Sequence, residues 1–248
     1  MFLVIAHRGA SAYAPENTMP AFELAIRQQA DMIELDVRPS ADGALVLFHD
    51  ETTARWDGRQ RRVVDCSLAE LRALDIRGAR VTTLAEVCAL ARERGVRLNV
   101  EIKVPGIGAR VARLLRQERV EDLVLISSFL PIALAEIAAA APHLPRGYLM
   151  GVRTYRPTVR FRESWPFGAL RRAGVAAWHP AYQIPLLSRL IPRVRRAGYR
   201  VHVWTVDDVA VMRRLLAVGV DGIITNTPDV LRRLLQADPA GLNVPRGA

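Results

Sequence analysis

Lysine is nearly missing from this chain. Its 248 residues carry 35 basic side chains, and Lys103 is the single lysine among them. Cysteine is as scarce, with only Cys66 and Cys88. Two cysteines without metal-ligand spacing exclude a disulfide scaffold and a zinc module. Both lie in helical contexts and read as packing residues of a reduced, cytoplasmic protein. No apolar run approaches the roughly 18–20 residues that a membrane span needs. The apolar start Met1-Phe2-Leu3-Val4-Ile5-Ala6 lacks a basic region and a cleavage site, so it reads as a strand rather than a targeting signal. A glycine-rich phosphate loop after that run is also missing, which weighs against an open dinucleotide-binding sheet. Long linkers, low-complexity tracts and sequence repeats are not found.

Half of the residues are hydrophobic and 24% are charged, so the chain can bury a large core. The net charge is +10. Such a surplus invites a nucleic-acid or membrane reading. The surplus is local, however. Residues 143–200 hold twelve arginines against one acid, Glu163, and the remainder is close to neutral. No nucleic-acid recognition module is visible, and no nucleic-acid partner is expected. The same segment holds eight of the fifteen aromatics, including Tyr155, Phe161, Trp165 and Phe167. Arginine mixed with aromatics suits an interfacial surface, so a weak contact of 153–172 with an anionic membrane is one reading. An arginine-rich solvated face is the other.

Short β-branched runs alternate with amphipathic stretches, the pattern of parallel βα units. Strands are predicted at 3–6, 32–37, 97–102, 123–127, 147–150, 175–178, 200–205 and 222–225. Helices are predicted at 20–29, 84–94, 109–118, 132–141, 186–197, 209–218 and 230–236, with a short, weak one around 167–172. Eight such units in a chain of this length predict an α/β fold, a single (β/α)₈ TIM barrel domain over 1–248. One segment breaks the alternation. Residues 44–49 read as a second extended run turned by Asp42-Gly43, a hairpin in a small insertion at about 38–82.

The residues with chemistry sit at predicted strand ends, the face on which barrel enzymes work. The first strand ends in His7-Arg8-Gly9. The second contains Glu34 and Asp36, the hairpin ends in His49-Asp50, and the third ends in Glu101-Ile102-Lys103. Side chains alternate along a strand, so Glu34 and Asp36 share one face, as do Glu101 and Lys103. Inward carboxylates are costly unless paired or bound to a cation. Oxygen-only ligation by Glu34, Asp36 and Glu101 selects a hard divalent ion, Mg²⁺ or Ca²⁺. An ion-pair network with Arg8 and Lys103 is the alternative. His7 and His49 beside such a site suit general acid–base catalysis. Arg8 and Lys103 add the positive charge that a phosphate needs. His179 follows the sixth predicted strand, where it either reaches substrate or is an ordinary loop histidine. His202 lies inside the seventh and reads as structural.

Taken together, His7-Arg8-Gly9-Ala10, Pro15-Glu16-Asn17-Thr18, Glu34-Leu35-Asp36-Val37, Val46-Leu47-Phe48-His49-Asp50 and Glu101-Ile102-Lys103 resemble the glycerophosphodiester phosphodiesterase family. The resemblance continues through Ser67-Leu68-Ala69-Glu70-Leu71, Ser127-Ser128-Phe129, Val203-Trp204-Thr205-Val206-Asp207 and Gly219-Val220-Asp221-Gly222-Ile223-Ile224-Thr225-Asn226. It spans about residues 3 to 235.

The resemblance implies a TIM barrel that hydrolyses glycerophosphodiesters to sn-glycerol 3-phosphate and an alcohol, with one divalent cation. By motif position it makes Glu34, Asp36 and Glu101 the metal ligands and His7 and His49 the acid–base pair. Arg8 and Lys103 hold the phosphate, and Glu16 supports the site near His7. Trp204 either packs against the glycerol or is an ordinary aromatic of the barrel mouth. A phospholipase D-like action on lysophospholipids at a membrane surface is the alternative activity. Two departures stand out. The stretch from Leu74 to Thr83 is short, which predicts a more open mouth. Asn226 stands where many relatives have Asp, and neither change is expected to touch the metal ligands or the histidines.

Overall fold

The computed structural model describes residues 2–151, 159 and 164–237. Its strands are β1 (Leu3–His7), β2 (Met32–Pro39), β3 (Leu45–Leu47), β4 (Arg97–Ile102), β5 (Val124–Ser128), β6 (Arg146–Met150), β7 (Ala177–Pro180), β8 (Arg200–Val203) and β9 (Gly222–Thr225). All except β3 pair in parallel with their neighbours, in the order β1-β9-β8-β7-β6-β5-β4-β2, and β1 also pairs with β2. That last pairing closes the ring into an eight-stranded parallel TIM barrel. β3 runs antiparallel to β2, with Val37 opposite Leu47.

The helices are α1 (Met19–Arg27), α2 (Ala54–Asp57), α3 (Leu68–Arg72), α4 (Leu84–Arg94), α5 (Gly108–Gln117), α6 (Pro131–Ala140), α7 (Phe167–Ala173), α8 (Leu187–Arg196), α9 (Val209–Val218) and α10 (Pro228–Ala237). Their starts follow local chemistry. Thr83 and Glu86 form a capping box at α4, and Gly95 ends that helix in the left-handed region at φ 66°. Ser67 and Glu70 form a second capping box at α3.

Strand alternation divides the core. The outward residues Ile33, Leu35 and Val37 of β2 pack with Leu84, Val87 and Val111 of the helices. The inward residues Leu3, Ile5, Met32, Leu125, Ala177 and Ile224 fill the barrel floor. The segment between β3 and α4 builds a small core of its own from Val46, Phe48, Val63, Cys66, Leu71 and Val81. Cys66 and Cys88 are buried free thiols. Among the described residues, no helix is long and apolar enough to cross a membrane.

Most predicted elements fall within two residues of the observed ones. The sixth barrel strand is Ala177–Pro180 rather than 175–178. Val175 and Ala176 are spent in descending from the left-handed Gly174 that ends α7. His179 therefore lies inside a strand and is fully buried, not in a loop at the mouth. The strand predicted at 200–205 ends at Val203, with Trp204 joined to Ala181 by an isolated bridge. Helices α2 and α3 were not expected beside the hairpin. Of the stretch 153–172, for which a membrane contact was one reading, residues 153–158 and 160–163 lie outside the described residues.

Candidate active site

Register places the acids. His7 lies beside Glu34, Glu34 beside Asn99, Asp36 beside Glu101, and Glu101 beside Ser127. These inward side chains therefore form adjoining rungs above the apolar barrel floor. Glu34, Asp36 and Glu101 are all buried, and one oxygen from each lies within 4.8 Å of the others. Among the described residues, this is the group of acids and histidines close enough to share an ion.

Two turns hold the site together. Arg8 is left-handed at φ 55°, and Gly9 follows at φ 86°. A Cβ on Gly9 would stand 2.7 Å from backbone and side-chain carbons of Ala21, so α1 can pack here only against glycine. The turn directs the Arg8 guanidinium onto Asp36, with Nε 3.1 Å from Oδ2. Its backbone N–H donates to Glu34 Oε2 at 3.0 Å. Asn17, left-handed at φ 57°, donates from Nδ2 to Asp36 Oδ2 at 2.8 Å. Such backbone strain clusters where a site has to be held in one shape. Lys103 completes the cluster, with Nζ 2.7 Å from Glu101 Oε1 and 3.3 Å from Asp36 Oδ1.

The charges do not balance. Burial pushes Glu34 well above its ordinary range, and repulsion from Asp36 and Glu101 adds to this. Burial and Asp36 push Glu101 up to about 7, against the pull of Lys103. Burial would raise Asp36 too, but Arg8 and Lys103 hold it well below. Three carboxylates face Arg8 and Lys103, and Arg8 is shared with Glu16 as well, so the carboxylates outnumber the cations. Hard oxygen donors around a site short of positive charge fit a divalent cation.

The histidines flank the triad. His7 Nδ1 lies 2.7 Å from Asn226 Oδ1, and Nε2 lies 4.0 Å from Glu34 Oε2. Burial, and then Arg8, lower His7 to about 4. His49 Nδ1 pairs with Asp50 Oδ1 at 2.8 Å, and Arg55 holds the other Asp50 oxygen at 2.7 Å. Burial lowers His49 as well. Arg38 donates to the His49 carbonyl at 3.1 and 3.2 Å and fixes the end of the hairpin.

A pocket of about 370 Å³ opens over the cluster. One wall is polar, with His7, Arg8, Glu34, His49, Glu101 and Lys103. The other is apolar, with Phe129, Leu149, Trp204 and Ile224. Trp204 is held by its Nε1–H donating to the His179 carbonyl at 2.8 Å and by an edge-on contact with Phe129 at 5.4 Å. Both amide atoms of Asn99 and the Ser127 hydroxyl are buried without a protein partner, and both residues line this pocket.

The structure brings eight of the nine predicted site residues to this pocket or its acid cluster. Glu16 stands apart. It pairs with Arg8 at 2.9 Å and Arg55 at 2.5 Å, so it braces Arg8, the residue next to His7. His179 and His202 bond to each other at 3.1 Å, buried in the barrel. A second correction concerns Asn226. It was expected to leave the histidines untouched, yet it is the direct partner of His7. Asn17, Asp50 and Arg55 also went unassigned. The Pro15-Glu16-Asn17-Thr18 motif held the signal for Asn17.

Comparisons with known proteins follow the same line. Residues 7–230 match the glycerophosphoryl diester phosphodiesterase family. A protein of Caldanaerobacter subterraneus subsp. tengcongensis named glycerophosphodiester phosphodiesterase is 36% identical over 247 residues, covering 94% of this chain and 98% of the relative. An Oleispira antarctica phosphodiesterase, solved with the product sn-glycerol-3-phosphate, superposes with a TM-score of 0.82 at 28% identity, over 94% of this chain and 96% of its own. A glycerophosphodiester phosphodiesterase of Agrobacterium tumefaciens gives a TM-score of 0.78 at 29% identity, over 94% of this chain and all of its own.

Proposed function

The chain belongs to the glycerophosphoryl diester phosphodiesterase family, and on that premise we propose that it hydrolyses glycerophosphodiesters to sn-glycerol 3-phosphate and an alcohol. One divalent cation, Mg²⁺ or Ca²⁺, is held by Glu34, Asp36 and Glu101. When bound, it supplies positive charge to a phosphoryl oxygen. The observation that carries this reading is the buried triad, short of positive charge, beside two histidines. A divalent ion would offset that deficit and lower the cost of bringing a negatively charged phosphodiester to the site.

Arg8 and Lys103 orient and neutralise the phosphate. The partners of the histidines divide their roles. His49 is paired to a carboxylate, Asp50, which stabilises an imidazolium; it gives its Nε2 proton to the departing alkoxide. His7 is paired to a neutral amide and keeps a free Nε2; it takes the proton of the nucleophile. The P–O bond to the alcohol breaks as the new P–O bond forms. The nucleophile is a water or the glycerol 2-hydroxyl, and a five-membered cyclic phosphate seen by ³¹P NMR identifies the second. Trp204 covers the carbon skeleton of the glycerol. The two buried free thiols suit a reducing, cytoplasmic setting.

The test is a coupled sn-glycerol 3-phosphate assay across glycerophosphocholine, glycerophosphoethanolamine, glycerophosphoglycerol and a lysophospholipid. Release of glycerol 3-phosphate from the water-soluble diesters supports the reading; turnover of none of the four overturns it. One observation favours the lysophospholipid alternative. Among the described residues, the exposed large apolar side chains are Tyr13, Ile132, Trp165, Tyr182, Leu186 and Val209. All lie in βα loops or in the first turn of the helix that follows, on the mouth side of the barrel. Co-sedimentation with anionic vesicles at low salt, together with preference for the lysophospholipid, would select that reading.

A further inference from the structure

Asn226 sits at the end of β9, and barrel closure sets β9 against β1. Its side chain is gripped from both sides. Nδ2 donates to Asp207 Oδ2 at 2.6 Å, and Oδ1 faces His7 Nδ1 at 2.7 Å. Asp207 is itself anchored. Its Oδ1 accepts from the Asn226 backbone N–H and the Thr225 hydroxyl, both at 2.8 Å. Turning the amide over would set its oxygen against a carboxylate oxygen and its NH₂ against the ring. The amide can therefore present only an acceptor to His7, and Nδ1 has to carry the ring proton. Ser11 Oγ, 2.7 Å from both Asn226 Oδ1 and the His7 carbonyl, closes the same turn.

We propose that Asp207 and Asn226 form a positioning relay that locks His7 as its Nδ1–H tautomer, so that the lone pair of Nε2 faces the pocket. The relay deepens the proposed hydrolysis and rests on it for its catalytic consequence. The tautomer itself is a property of the folded chain. Neither relay residue touches the phosphate. Each acts through His7, so its loss leaves substrate binding intact and removes the proton acceptor from part of the population. Asn226→Ala deprives Nδ1 of its acceptor and frees the ring to carry its proton on Nε2, where it cannot serve as base. Asn226→Asp restores an acceptor at the same place, and Asp207→Asn is introduced with it so that the 2.6 Å approach to position 207 remains an N–H···O bond; the Asn226→Asp chain carries both changes.

The experiment reads tautomer and turnover separately. Long-range ¹H–¹⁵N spectra of the histidine rings, assigned with a His7→Gln variant, are recorded on the wild-type chain, Asn226→Ala and Asn226→Asp. The wild type and Asn226→Asp are expected to show the Nδ1–H pattern for His7, and Asn226→Ala a mixture or the Nε2–H pattern. On glycerophosphocholine, kcat of Asn226→Ala should fall by the factor by which the Nδ1–H population falls, about 2- to 10-fold for a mixture and on the order of 10²-fold where only the Nε2–H pattern is seen, with KM changed less than about threefold, and Asn226→Asp should recover most of the loss. An Nδ1–H ring in Asn226→Ala, or undiminished kcat there, overturns the relay. If the wild type hydrolyses no glycerophosphodiester, the proposed function fails alone, and the ring spectra still decide the relay.

Discussion

Neutralising one acid of the triad should have opposite effects with and without a divalent ion, and Glu34→Gln is the substitution to make. Gln is isosteric, and its amide oxygen keeps the hydrogen bond from the Arg8 N–H. Ligand oxygens of the triad lie within 4.8 Å of one another. Two unit charges at that distance repel by about 3 kcal/mol at an effective dielectric of about 20. Arg8 attracts Glu34 and offsets part of this, which leaves a relief of about 1–2 kcal/mol on substitution. In a domain of this size that is a rise in Tm of roughly 2–8 °C in excess EDTA. Saturating Mg²⁺ or Ca²⁺ reverses the order. An ion at 100 times its Kd stabilises the wild type by about 2.7 kcal/mol, and a chain lacking one ligand gains little. The assay is thermal unfolding at pH 8.5, above the value of about 7 to which Glu101 is displaced; because burial raises Glu34 as well, the gain in EDTA should shrink as pH falls and Glu34 takes up a proton. The reasoning is refuted if Glu34→Gln melts below the wild type in EDTA, or if the added ion raises both equally.

Three further outcomes follow from the geometry. His49→Ala should lose on the order of 10²–10⁴-fold in kcat and keep its fold, because the half-exposed ring is bonded chiefly to Asp50; near-wild-type turnover would remove His49 from the mechanism. His202 is fully buried and lowered by that burial to about 4 from an ordinary 6.5. The unfolded chain therefore takes up the proton first as pH falls, so this contribution is complete above pH 6.5 and about 3 kcal/mol of it is lost on descending to pH 4. Urea unfolding of the wild type and His202→Asn at pH 7.5 and 4.5 isolates the histidine, and equal falls in the two proteins would contradict it. Gly9→Ala should destabilise by about 2–4 kcal/mol, since a left-handed φ and a 2.7 Å approach to Ala21 coincide there; an unchanged Tm would mean that α1 has room to yield.

The barrel was legible in the sequence because each βα unit carries its own periodicity. The acids were legible for the same reason: alternation along one strand puts Glu34 with Asp36 and sends Leu35 to the helices. What could not be read was contact across the closure. His7 and Asn226 are 219 residues apart, and only the pairing of β9 with β1 brings them together. Asp50 and Arg55 escaped for a related reason, because the pair that orients His49 depends on how α2 folds back over the hairpin. Ser67 and Glu70 cap α3, yet that helix was not expected, because five residues leave no period to detect. His179 was misplaced by two residues of strand, which is enough to turn a mouth residue into a core one.

On the proposed mechanism, a cation-loaded carboxylate triad and two histidines cleave a glycerophosphodiester on the alcohol side of phosphorus. The most direct measurement is product analysis of glycerophosphocholine hydrolysis, in EDTA and after restoring Mg²⁺ or Ca²⁺. sn-Glycerol 3-phosphate and choline are expected with the ion, and no turnover with the chelator. Phosphocholine and glycerol as products, or hydrolysis that ignores EDTA, would contradict the mechanism.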